Sequence, residues 1–171
     1  MRFNILRKIL VSSGLLGIVV LLAGCPYSSS VPIDEGTVKI TDNLIGKWIK
    51  SSDKDAENPT YFVISREDKT HATARKFEYS STDTKYDTTT YHLTFSDVSG
   101  DIFMNAAEDG GSNYSLYKFV LDEQTREVTT YEVSDYIKET FTSSRELKDF
   151  IIRNKSLSFF FTNSNDTYQK Q

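Results

Sequence analysis

Thr90-Tyr91-His92-Leu93-Thr94-Phe95-Ser96 decides the fold. Tyr91, Leu93 and Phe95 share one phase of a two-residue repeat, and His92 and Thr94 share the other. That is the spacing of a strand with one face in a core and the other at a surface. Runs of the same kind return on both sides of it: Leu44–Lys50, Thr60–Arg66, Thr70–Tyr79, Asp87–Ser96 itself, Asp101–Ala106, Asn113–Leu121, Glu127–Val133 and Ser156–Thr162, with a further one at Asp166–Lys170. Between them lie Glu67-Asp68-Lys69, Ser99-Gly100, Asp109-Gly110-Gly111 and Asp122-Glu123-Gln124-Thr125, residues suited to tight turns. Connections this short join antiparallel chain neighbours. The expected fold over 41–171 is mainly β, an antiparallel up-and-down barrel of about eight strands with one short helix late in the chain.

Two strands are apolar on both phases. Leu116 and Val120 alternate with Tyr117, Phe119 and Leu121, and Tyr61 and Val63 alternate with Phe62 and Ile64. Their outer faces need a cover. Ser143-Ser144-Arg145-Glu146 reads as a capping box, in which the Ser143 hydroxyl accepts from the third residue's N–H and Glu146 reaches back. Leu147, Phe150 and Ile151 then fall on one helical stripe, and Asn154 suits a left-handed end. A helix of about eleven residues does not persist alone in water, so it must dock, with Phe141 packing beside it.

The chain has 171 residues, of which 21 are Phe or Tyr, and a net charge of −4. Arg2, Arg7 and Lys8 are the only charges before Asp34, so removing these three cations from −4 leaves −7 on the remainder. An acidic domain lacks the basic footprint of a nucleic-acid binder, and no nucleic-acid partner is expected. With one cysteine and two histidines, a His/Cys metal site has too few ligands, and no metal or other cofactor is expected. Asp53, Asp55 and Glu57 alternate as calcium ligands do, but Asn58 and Ile64 stand where an EF-hand loop needs glycine and a bidentate acid, so a solvated acidic loop is the expectation. His71 and His92 lie on the polar phase of their strands. No Gly-x-Ser-x-Gly elbow is present, the threonine-rich Ser80–Thr90 stretch reads as strand and hairpin surface, and the domain is expected not to be an enzyme.

The first 40 residues read differently. Met1–Lys8 is basic, and Ile9–Ala23 is apolar but about 15 residues long, short of the roughly 20 that span a bilayer. It closes on Leu22-Ala23-Gly24-Cys25, a branched apolar residue, two small residues and the chain's only cysteine. This stretch resembles the lipobox of bacterial lipoproteins. The resemblance implies that residues 1–24 are a signal peptide, that the Cys25 thiol receives a diacylglyceryl group, and that a peptidase cuts before Cys25, whose freed amino group can then be acylated. At ~0.8 kcal/mol per buried methylene, two or more acyl chains anchor a protein durably. The expected location is a bacterial cell membrane, on the periplasmic side of an outer membrane if the cell has one, since Pro26 is not the aspartate that signals inner-membrane retention. Residues 25–40, with Tyr-Ser-Ser-Ser, two prolines and Gly36, read as a lipidated cysteine followed by a flexible tether. Fifteen residues reach at most ~50 Å extended and ~20 Å as a coil.

Asn43-Leu44-Ile45-Gly46-Lys47-Trp48 opens the first barrel strand. Here the chain resembles lipocalin-like proteins, where Gly-x-Trp starts the barrel and the tryptophan plugs its closed end, a structural role the resemblance gives to Trp48. Small lipoproteins with a lipocalin-like domain also show a Phe-x-Ser-x-x-Glu-Leu-x-x-Phe-Ile helix and a last strand ending in Tyr-x-Lys. Phe141, Ser143, Glu146, Leu147, Phe150 and Ile151, then Tyr168 and Lys170, fit that pattern. Lys170 takes the place of the arginine that lipocalins set over the tryptophan. Two functions of different class follow. One is a binding module holding a small apolar ligand; the other is an envelope interaction protein with a filled barrel and no pocket. An eight-stranded barrel is just wide enough for either side chains or one small ligand. Trp48, Tyr91, Phe95, Met104, Phe159 and Phe161 are bulky residues on the apolar phase, and they favour a filled interior.

Overall fold

The computed structural model describes residues 27–171; the expected signal peptide and Cys25 lie outside the described residues. Strands β1 (Ser28–Ser29), β2 (Gly46–Lys50), β3 (Tyr61–Arg66), β4 (His71–Ser80), β5 (Lys85–Val98), β6 (Asp101–Glu108), β7 (Tyr114–Asp122), β8 (Glu127–Val133) and β9 (Phe161–Lys170) are joined by one α-helix, α1 (Ser144–Asn154). β2 to β8 pair antiparallel with their chain neighbours, apart from the β8–α1–β9 excursion. β9 then pairs with both β8 and β2, so eight strands close into a barrel. Turns at 67–70, 99–100 and 123–126 lie at one end, and the connections 51–60, 81–84 and 109–113 lie at the other. Ser99 and Gly100 both take positive φ, the backbone of a two-residue hairpin turn whose twist matches the strands it joins.

Residues 27–40, the described part of the stretch expected as a flexible tether over 25–40, lie packed against the barrel. Tyr27 is buried and its hydroxyl donates to the Glu139 carbonyl. β1 pairs with the first two residues of β7, the edge that β8 leaves open because its own pairing begins only at Tyr117. The chain then runs down the outer wall. The Ile33 N–H donates to Asn105 Oδ1 at 2.8 Å, and the N–H groups of Thr37 and Val38 converge on the Phe95 carbonyl at 2.9 and 3.0 Å. The Ile40 N–H reaches the Lys69 carbonyl at the far end. Gly36, at φ +92°, passes so close to the wall that a Cβ there would sit 3.2 Å from the Thr94 Cβ. Val31, Ile33, Val38 and Ile40 supply the apolar surface that holds this strap down. Their spacing shows no period because the strap bonds to single carbonyls and one side chain rather than to a continuous ladder.

The molecule has two cores. The outer one covers the β5–β6–β7 wall, where Val98, Phe103 and Leu116 are packed under Tyr27, Ile33, Leu147, Ile151 and Phe160. The second, inside the barrel near the closed end, gathers Ile40, Leu44, Ala72, Leu93 and Phe95. Each large side chain buried in this way contributes roughly 1.5–3 kcal/mol. Among the described residues, the buried members of both cores lie between Tyr27 and Phe160, and a chain beginning at Pro26 contains them.

Helix α1 covers the outer wall as its stripe requires, with Leu147 and Ile151 fully buried. The Ser143 hydroxyl accepts from the Glu146 N–H, but the Glu146 carboxylate accepts from Thr142 Oγ1 instead of closing the box. Asn154 stays helical and Lys155 continues in the right-handed region, so the expected left-handed cap is absent at that position. Lys155 Nζ instead reaches the Val98 carbonyl at 2.7 Å and Asp101 at 2.5 Å, tying the helix end to the β5–β6 turn. The strand expected at Ser156–Thr162 starts only at Phe161, because residues 155–160 turn to seat Phe160 in the outer core, and β9 absorbs the run at Asp166–Lys170. The cover is also partial. Leu116 is buried, whereas Val120 is 43% exposed, and Tyr61 lies outside the helix's reach, stacked on Phe77 at 4.7 Å.

Candidate functional site

The inward phases of the eight strands enclose a cavity of about 810 Å³, open at the 51–60, 81–84 and 109–113 end. Its floor is apolar, lined by Trp48, Phe62, Ile64, Leu93, Met104 and Phe119. The filled interior expected from the bulky residues is therefore not observed. Phe159 is 50% exposed, and Phe161 points outward to stack near Phe103. Small residues on the inward phase, Ala74, Ala106 and Ser115, leave the remaining rings without neighbours across the barrel.

Trp48 closes the floor. It is 2% exposed, its Nε1–H donates to the Leu44 carbonyl at 2.8 Å, and Lys170 Nζ lies 5.8 Å from its ring centre. Lys170 also donates to the carbonyls of Asp42 and Asn43, so one ammonium ties the last strand to the segment that enters the first. The glycine of Gly-x-Trp is required for two reasons: Gly46 adopts φ +132°, and a Cβ there would sit 3.1 Å from Lys170 Cε.

Above the floor the lining becomes polar. Tyr91, Tyr117 and Tyr168 stand at mid-depth, with Phe62 edge-on to Tyr168 at 5.5 Å. Glu132 sits opposite Tyr117 across the β7–β8 pair, and Asp166 two residues before Tyr168 on β9. Burial pushes the Tyr117 and Tyr168 phenols upward, and the Glu132 and Asp166 carboxylates add to that in turn. Burial also raises Glu132, against the pull of the Tyr117 hydroxyl. Nearer the mouth, Lys50 pairs with Asp166 at 2.7 Å and Lys76 with Glu78 at 2.6 Å, while Asp53 and Glu108 complete the charged lining.

The other residues singled out from the sequence lie elsewhere. Asp55 and Glu57 are exposed, apart from Asp53, and among the described residues no three His, Cys, Asp or Glu side chains are grouped to hold a metal. His71 lies 3.0 Å from Asp68, and His92 lies between Glu67 and Asp109; neither lines the cavity. The sequence marks Tyr168 only through the Tyr-x-Lys pattern and Tyr117 only as part of a strand, and it gives Glu132 no mark of its own. Their signal is phase: Glu132 follows Val128 and Thr130 on the inward face, an acid where a strand's core residue belongs.

Compared with known proteins, the chain matches no family model, no curated protein and no solved structure. Among the described residues no helix is long and apolar enough to cross a membrane.

Proposed function

We propose that this chain is a lipid-anchored bacterial envelope protein, non-enzymatic, that holds a small apolar molecule inside its barrel. The observation that carries this reading is the cavity. Its volume of about 810 Å³ falls within the range of small-molecule pockets, roughly 300–1,000 Å³, and its apolar floor with convergent polar groups above is the usual lining of one. The lipoprotein part rests on the Leu22–Cys25 box and on the basic and apolar runs before it. It is compatible with the structure at one further point. Ser28 lines the cavity mouth, and two residues, Pro26 and Tyr27, separate it from Cys25, a span of at most ~11 Å over three residue steps, so an anchor at Cys25 would lie at the same end as the opening. If the cell has an outer membrane, its periplasmic face is the preferred site of attachment.

Ala106→Trp tests the cavity, because Ala106 lines it and the new indole occupies the space above the floor. The wild-type protein is expected to bind the fluorescent probe N-phenyl-1-naphthylamine, and the variant to bind it at least about tenfold more weakly at unchanged melting temperature, a loss of the order of excluding one ring. Equal binding by the two proteins moves the site elsewhere. Intact-mass measurement of protein extracted from membranes tests the anchor: a diacylglyceryl-modified Cys25 at the amino end is expected, and an unmodified Met1 end rules it out.

The alternative is an interaction lipoprotein without a ligand. It is favoured by the outer-wall aromatic group of Tyr61, Phe77, Tyr79 and Tyr86, with Lys47 Nζ 4.2 Å from the Tyr61 ring centre. It predicts that the wild-type protein binds no probe.

A further inference from the structure

From the charged and aromatic lining of the cavity we infer that its occupant is a cationic amphiphile, an apolar body that fills the floor with an amine or ammonium head set beside Glu132. This rests on the cavity being the binding site and names the class of ligand it takes.

Five carboxylates and two lysines line the cavity. Each lysine is already committed, Lys50 to Asp166 and Lys76 to Glu78. Among the described residues Glu132, Asp53 and Glu108 have no salt-bridge partner, and of these Glu132 is carried by the inward phase of β8 directly across from Tyr117. An occupant seated on the apolar floor covers Glu132 further from water, and the chemistry of that occupant's upper end decides the energy. A wholly apolar molecule would bury the carboxylate with no partner beyond the Tyr117 hydroxyl and no opposite charge. A fatty acid or other anionic amphiphile would bring a second negative charge to a lining that already has an excess of them. A cation replaces the lost water with a charge-assisted hydrogen bond. Tyr91, Tyr117 and Tyr168 add to the preference, since the negative faces of aromatic rings attract ammonium groups, the more strongly when both are out of water.

Three ten-carbon probes that differ only in the head separate the possibilities: decylamine, decanol and decanoate, each titrated at neutral pH below its micelle concentration into residues 26–171. Trp48, the chain's single tryptophan, forms the floor, so its fluorescence reports occupancy without a label. Decylammonium is expected to bind at least about tenfold more tightly than decanoate. Glu132→Gln is expected to weaken decylammonium by about tenfold, the scale of one hydrogen bond to a charged group, and to leave decanol within about twofold. Glu127→Gln removes the same charge from the far end of β8, on the opposite phase, and is expected to change nothing. Decanoate binding as tightly as decylammonium overturns the inference, as does a Glu132→Gln protein that keeps its preference, or an equal loss in Glu127→Gln. If decanol binds and decylammonium binds no better, the charge argument falls while the cavity stands. If none of the three perturbs Trp48, the binding reading falls with it.

Discussion

Trp48→Ala is expected to lower the unfolding free energy by about 3–5 kcal/mol, the range for removing a large aromatic side chain from a packed site. Three consequences combine. The ring that closes the barrel floor disappears, and the space it leaves is continuous with the cavity already above it. The Leu44 carbonyl loses the donor that ties the incoming segment to β2. Lys170 loses the ring beneath it and is left holding the carbonyls of Asp42 and Asn43 alone. Denaturant titration should show a lower midpoint with an unchanged slope. Trp48→Phe separates the contributions: it retains most of the apolar bulk and loses only the Nε1–H donor, and is expected to cost about 1–2 kcal/mol. A loss below about 1.5 kcal/mol in Trp48→Ala would mean that Ile40 and Leu44, not the indole, hold the floor.

The second large effect is expected at Asn105. This side chain is 1% exposed and sits on the outer face of β6, where it accepts from the Ile33 N–H and donates to Thr94 Oγ1 at 3.1 Å and Ser96 Oγ at 3.3 Å. Ser96 donates in turn to Asp34 at 2.5 Å, whose other oxygen accepts from Lys148 on α1 at 2.7 Å. One chain of polar contacts thus joins strap, wall and helix. Asn105→Ala leaves the Ile33 N–H without its partner and takes a donor from the half-buried Thr94 hydroxyl and from the buried Ser96 hydroxyl, which keeps Asp34; with an unmet buried group costing ~1–3 kcal/mol, a loss of about 2–4 kcal/mol is expected. Amide exchange at Ile33 should accelerate with it.

The same contacts make stability depend on pH. Burial pushes the Asp34 carboxyl up, but Lys148, Ser96 and the Gly36 N–H together outweigh it and hold the group below the usual value of 3.8. The unfolded chain therefore binds this proton more readily than the folded one. The contribution is complete at neutral pH and is lost as pH falls below about 4 through the folded value. Asp34→Asn should flatten that part of the acid-unfolding curve.

Strands were legible where alternation is clean. β5 and β8 follow from Tyr91-Leu93-Phe95 and from the Glu127–Val133 run because one face of each meets the interior and turn residues bound both. The helix was legible from its cap and stripe. The strap was not, since its four apolar residues sit among serine, proline and glycine and are held by tertiary contacts that have no sequence period. The hollow interior was also illegible. Bulk on the inward phase argues for filling only if every large residue points inward, and Phe161 takes the opposite side because the segment before it turns to bury Phe160. Glu132 is not legible in the sequence because one acid in a seven-residue strand resembles any surface residue until barrel closure shows which way it faces.

The pairing of Ser28 and Ser29 with β7 fixes where the polypeptide joins the barrel, and it joins beside the aperture. If Cys25 carries the proposed acyl chains, only the two residues Pro26 and Tyr27 separate them from the sheet. On the proposed anchoring, so short a mooring would leave the barrel little freedom to tumble and would keep its opening near the leaflet, so that an occupant could pass between lipid and protein without crossing open water.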